Sequence, residues 1–288
     1  MGSPRIVDIQ HHDSAAGSWT HARCDARADL RPWVVGYSGY VETTRQSIRR
    51  REVPSPIIAV ILNLGPPWRM IDTNQQDVAS EHDSFVAGLH DRFAIVDSTG
   101  AADCMQIDFT ILGAARFFRV PMHQLANATT AFEDVLGRAG REFLERLRNT
   151  PAWADRFDQM DDLLAGRIKG PPSASEGVAW AVSRIESSAG LVSIGALASE
   201  MSWSRKRLLH GFREHVGLPA KTLARVVRFD RATKLLEAEP STSLADVAAS
   251  CGYADQPHMT REFRRLAGWS PSELLHQSAG AGQGLLDV

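Results

Sequence analysis

The sequence predicts an α+β protein of two domains. A β-rich sandwich or barrel with helices following it comes first. An all-α region with two helix–turn–helix modules joined by a long helix comes second. Three observations carry this. One pattern is written twice, at 193–213 and 243–264. Strand-like runs separated by turn signals fill residues 33–110. Beyond residue 111 the apolar spacing becomes helical. With 288 residues, 43% hydrophobic and 23% charged, the chain has the composition of a folded protein and the length for two cores.

Residues 1–30 show no clear periodicity and read as a polar leader, wrapped on a sheet or disordered. Their histidines, His11, His12 and His21, lack chelating spacing, because neighbours in a strand point apart. Residues 33–41 are aromatic and β-branched, with Gly36 and Gly39 suggesting bends or bulges. The apolar run 57–64, stopped by Gly65-Pro66-Pro67, reads as a buried central strand. Shorter strands are expected at 68–72, 84–89, 92–96 and 105–110. Thr130, with Glu133 three residues on, has the capping-box pattern of a helix start. A further helix at 151–168 carries Trp153, Phe157, Met160, Leu164 and Ile168 on one stripe, which must bury against the sheet or against a second subunit.

Few function classes survive for the first half. Gly36-Tyr37-Ser38-Gly39 lacks the spacing and following helix of a nucleophile elbow. His82 and His90 stand alone, and no Gly-rich phosphate loop is present. No catalytic residue, metal ligand or cofactor is therefore assigned. Three scattered cysteines, Cys24, Cys104 and Cys251, argue against a disulfide framework and for a reducing, cytoplasmic setting. No apolar run suits a membrane span, and the first residues lack a signal-peptide layout.

In the repeat, Ser193 and Ser243 are suited to cap one helix of each copy, and Ser204 and Asp255 the next. Leu208/Phe212 and Met259/Phe263 are i, i+4 pairs that mark the core faces. The opposite faces then present Arg205, Lys206, Leu209 and His210 in the first copy, and Gln256, Pro257, Thr260 and Arg261 in the second. Arg, Lys, Gln and His can read base edges in a major groove, and leucine can touch a thymine methyl. Residues 205–234 hold nine basic side chains against only Glu214 and Asp230, a candidate phosphate-binding band inside a chain of net charge −2. The 18-odd residues between the copies would span ~27 Å as a helix, which suits holding two reading helices about one DNA turn apart.

Residues 193–274 resemble the DNA-binding domain of the AraC/XylS family of bacterial transcription regulators. The resemblance rests on Leu197-Ala198, the Ser204, Leu208, Phe212, Arg213 spacing, Gly217, Arg228, Arg231-Ala232 and Leu235-Leu236. In the second copy it rests on Val247-Ala248, Gly252-Tyr253, Arg261, Phe263-Arg264-Arg265, Gly268 and Ser270-Pro271. It implies an effector-binding or dimerising N-terminal domain, often cupin-like. It also places the base-reading sites on Arg205, Lys206, Leu209, His210, Gln256, Pro257, Thr260 and Arg261. Arg213, Lys221, Arg225 and Arg264 complete the DNA-binding candidates, Lys221 and Arg225 as expected phosphate contacts. Leu209 and Pro257 depart from that pattern in lacking side-chain donors, and Gly211 weakens the first reading helix by ~1 kcal/mol against alanine.

The expected organisation is a cupin-like sensor domain at 1–128, a helical segment at 129–168 that is a candidate for dimerisation, a linker at 169–175, the DNA-binding domain at 176–276 and a flexible tail at 277–288. Promoter DNA, a small-molecule effector and a second copy of the chain are the expected partners, RNA polymerase a further candidate. Activation is expected over repression by family analogy. The rival readings are a cupin-like small-molecule enzyme and a redox sensor using Cys24 or Cys104 coupled to the same helical domain.

Overall fold

The computed structural model describes residues 6–14, 17–72, 78–169, 174, 176–278 and 285–286. The chain opens with strands β1 (Asp8–Ser14), β2 (Gly17–Cys24), β3 (Val34–Thr44), β4 (Ile48–Glu52), β5 (Ile58–Asn63) and β6 (Trp68–Asp72). It continues with β7 (Val78–His82), β8 (Phe85–Ala87), β9 (Ala94–Ser98), β10 (Ala101–Phe109), helix α1 (Ile111–Phe118) and strand β11 (Thr129–Ala131). Helices α2 (Phe132–Leu136), α3 (Arg138–Arg148) and α4 (Trp153–Ile168) follow. The C-terminal part holds α5 (Glu176–Ser187), α6 (Ile194–Glu200), α7 (Arg205–His215), α8 (Ala220–Ala238), α9 (Leu244–Ser250), α10 (Gln256–Ala267) and α11 (Pro271–Ser278).

The N-terminal strands form two antiparallel sheets. The larger has the order β1-β2-β3-β10-β5-β8-β11. In the smaller, Leu285–Leu286 pairs with β4, which is followed by β9, β6 and β7. Alternation on β10 explains the layering. Met105, Ile107 and Phe109 join the helix-covered core with Ile111, Phe117 and Phe143, while Cys104, Gln106 and Asp108 point to a cavity between the sheets. No helix among the described residues is long and apolar enough to cross a membrane.

Several expectations are corrected. The leader contains two strands. β1 is exposed along its whole length, so no apolar alternation announces it, and it is held by backbone register with β2. β4 reads Ile-Arg-Arg-Arg-Glu and is likewise invisible to a hydrophobic pattern. Thr130 does not cap a helix. It pairs with Val86 in β11, and α2 starts from Ala131 without a side-chain cap. Gly39 does not make a bulge: a Cβ there would sit 2.1 Å from Trp153 Cζ3, so the glycine admits the indole.

That contact also corrects the dimer reading of the α4 stripe. Phe157, Met160 and Leu164 are fully buried within their own chain, with Phe157 stacked on Tyr37. A second subunit has no access to that face. The linker expected at 169–175 lies mostly outside the described residues. Around it, the core runs without interruption from the sheet through Met122 and Leu125 to Val216, Leu218 and Leu223 of the first repeat copy. The second copy has a core of its own, formed by Phe229, Val247, Met259, Phe263 and Leu266.

Candidate nucleic-acid interface

Both copies are helix–turn–helix modules with matched local chemistry. Ser193 Oγ accepts from the N–H of Ala196 and Ser243 Oγ from that of Asp246, each satisfying an orphan donor at the start of the first helix. Ser204 caps α7 through the N–H of Arg207 at 3.2 Å, and Asp255 caps α10 through that of His258 at 2.6 Å. In the turns, Trp203 N–H donates to the Ala198 carbonyl and Tyr253 N–H to that of Ala248, both at 2.9 Å. The residue before each aromatic is left-handed: Gly252 at φ 70° and Ser202 at φ 51°. Serine takes that conformation at a steric cost that glycine does not incur.

Leu197, Ala198, Leu208 and Phe212 are buried in the first module, and Val247, Ala248, Met259 and Phe263 in the second. Helical geometry then turns Arg205, Lys206, Leu209 and His210 outward along α7, and all four are exposed. Leu209 is 55% exposed, so its side chain is open to a partner. On α10, Gln256, Pro257 and Arg261 are exposed. Thr260 is half-buried, and its hydroxyl donates to the Gln256 carbonyl at 3.0 Å. Pro257 lies in the first turn, where its missing N–H costs nothing. The 19-residue α8 joins the modules.

The basic band is less uniform than its composition suggests. Arg207 stacks on Trp203, Arg228 donates to the Gly190 carbonyl at 2.9 Å, and Lys234 pairs with Asp230. Arg205, Lys206, Arg213, Lys221 and Arg231 are exposed, as is Arg264 on α10. Arg225 is the correction among the expected phosphate contacts. Its guanidinium forms a two-pronged ion pair with Glu262, at 2.6 and 3.2 Å, both partners mostly shielded. It ties α8 to α10, an orientation already filled by a carboxylate. Arg225→Ala should therefore leave the salt dependence of DNA binding unchanged and lower thermal stability by about 1–2 kcal/mol, because Glu262 loses its counter-charge. A flatter salt slope would return Arg225 to the phosphate contacts.

Gly211 also has a structural reason. A Cβ there would lie 2.8 Å from Cγ2 of Val178, which is fully buried on α5. Gly211→Ala should lose roughly 1 kcal/mol of stability, the clash exceeding the gain in helix propensity. A rise in melting temperature would show that α5 yields.

One contact had no sequence signal. Arg51, on β4, donates to the Ala267 carbonyl at the end of α10 at 3.0 Å. Its guanidinium lies over Trp269 at 3.9 Å and over Phe93 at 4.3 Å. These partners are far apart in sequence, so no local pattern links them. Arg51 thus fastens the second module to the smaller sheet. For the redox-sensor reading, Cys24 and Cys104 are both buried, and burial pushes the Cys104 thiol up to about 12.

Residues 197–277 match a family model described as a helix-turn-helix domain, and residues 22–131 match one described as a domain of unknown function (DUF6597). The HTH-type transcriptional activator RhaS of Escherichia fergusonii is 35% identical over 83 residues, 29% of this chain and 30% of that protein. The F1 operon positive regulatory protein of Yersinia pestis is 34% identical over 82 residues, 28% of this chain and 27% of that protein. The chain thus spans under a third of the length of these relatives. Among solved structures, ToxT from Vibrio cholerae O395 aligns over 84% of this chain and 97% of its own, with a TM-score of 0.47 and 13% identity.

Proposed function

We propose that this chain, whose C-terminal part is an AraC/XylS-type double helix-turn-helix domain, is a sequence-specific DNA-binding regulator of transcription. The observation that carries the reading is the pair of outward helix faces. Arg205, Lys206, Leu209 and His210 on α7, and Gln256 and Arg261 on α10, stand exposed on modules held by one continuous helix. Two such faces suit two successive major-groove segments on one side of a duplex. α7, with more exposed basic side chains, supplies more of the electrostatic affinity. α10, with the stronger Asp255 cap, supplies more of the placement on its half-site. Promoter DNA in the cytoplasm is the target, and the regulated step is activation, in keeping with the activator and positive-regulator names of its relatives. A homodimer and contact with RNA polymerase complete the proposal, the dimer surface lying elsewhere than the α4 stripe.

The N-terminal sandwich is the sensor in this reading. β4 supports it, because alternate residues of one short strand face the cavity and the DNA-binding part. Arg50 and Glu52 line the cavity, while Arg51 grips the end of α10. A ligand that shifts β4 shifts that grip. Selection from random-sequence DNA with the full chain tests the function. Enrichment of a defined bipartite sequence is expected, and recovery of unenriched DNA would overturn it.

A further inference from the structure

The cavity between the two sheets has a volume of about 350 Å³, within the size range of small-molecule sites. Much of its wall is apolar, including Ile61, Trp68, Met70 and Phe85. Its polar groups come from facing sheets. Arg50 and Glu52 project from β4 on the side shared with Val96 and Ala94 of β9, and Asp108 projects from β10 beside Ala59 of β5.

The charged groups of this chamber are unevenly partnered. Arg50 is paired with Glu42, which also accepts from Tyr40 and, at 3.0 Å, from the Ser98 hydroxyl. That cluster is neutral in sum. Glu52 is exposed where it lines the cavity and has no hydrogen-bond or ion-pair partner among the described residues. Asp108 receives one hydrogen bond, from the Gln106 amide at 2.7 Å. Desolvation raises both carboxyls above their ordinary range. The charges acting on Glu52 are those of Arg50, which favours its ionisation, and Asp108, which opposes it. Arg92 and His90 also line the cavity, Arg92 as an exposed side chain like Glu52.

The geometry points to a binding site for a small organic cation, an ammonium group carried on an apolar or aromatic body, with Glu52 and Asp108 as its charge partners and Trp68 and Phe85 against its body. An ammonium would give Glu52 the ion-pair partner it lacks among the described residues and Asp108 a further donor, its N–H groups matching two acceptors on opposite walls. The aromatic faces add a favourable cation–π environment. This deepens the sensor reading proposed above by naming the effector's chemical class. It is tested without DNA, so its failure leaves the regulator reading standing.

Calorimetric titration of the full chain with phenethylamine, phenethyl alcohol and hydrocinnamate compares a cation, a neutral analogue and an anion on similar bodies. Saturable binding of the amine is expected, with the other two weaker by roughly ten- to a hundredfold, the range of a charged hydrogen bond. Glu52→Gln and Asp108→Asn should each weaken the amine to a similar degree. Both remove a desolvated charge, so folding is not threatened, and unchanged melting curves check this. Equal binding of the alcohol, preferred binding of hydrocinnamate, absent amine binding or an unchanged amine affinity in both variants would each overturn the proposal.

Discussion

Phe263→Ala should destabilise the second helix–turn–helix module by about 3–5 kcal/mol. Phe263 is fully buried and meets Phe229 edge-to-face, with ring centroids 4.7 Å apart, so one side chain joins α10 to α8. The second module's core is a small cluster of its own, with Val53 of the sheet domain packed against it, so neighbouring side chains have little freedom to fill the void. The first module shares its core with the sheet domain and should be unaffected. Amide hydrogen exchange on the intact chain reads the two apart. Protection should fall across residues 244–267 and persist in α7. An equal loss in both modules would mean that they unfold as one unit. Phe212→Ala is the converse, since its loss should spread into the core that the first module shares with Met122 and Leu125.

Arg261→Ala should weaken binding to the preferred DNA sequence by about 1–3 kcal/mol and relax preference at one base pair, while affinity for random DNA stays nearly constant. Arg261 is exposed on the second turn of α10, beyond the Asp255 cap that positions the helix end. It is therefore placed for base contact. Lys221, exposed at the start of α8, should behave oppositely, its removal reducing the salt slope by about one and leaving base preference intact. Quantitative binding to preferred and random duplexes at several salt concentrations separates the two roles. An equal loss on both DNAs for Arg261→Ala would reassign it to a phosphate.

What was legible in the sequence is what local chemistry encodes. Caps at Ser193, Ser204, Ser243 and Asp255, and i, i+4 pairs such as Leu208/Phe212, depend on neighbours within a turn, and all are present in the structure. The strand at Ile58–Asn63 announced itself by its apolar run. β1 and β4 did not, because register rather than alternation holds them. Arg225 and Arg51 look like ordinary surface cations in sequence. Their roles come from Glu262, Phe93 and Trp269, which only the fold brings near. The same holds for the chamber, whose carboxylates lie on β4 and β10, more than fifty residues apart.

In the proposed complex two modules, fixed by α8, read two half-sites at one separation. Inserting base pairs between the half-sites of the selected sequence and measuring affinity tests this most directly. Adding half a helical turn (~5 bp) should reduce binding to that of a single half-site. Adding a full turn (~10 bp) should not restore it, because α8 cannot lengthen. Affinity unchanged by both insertions would contradict the account, since only one module would then be reading the DNA.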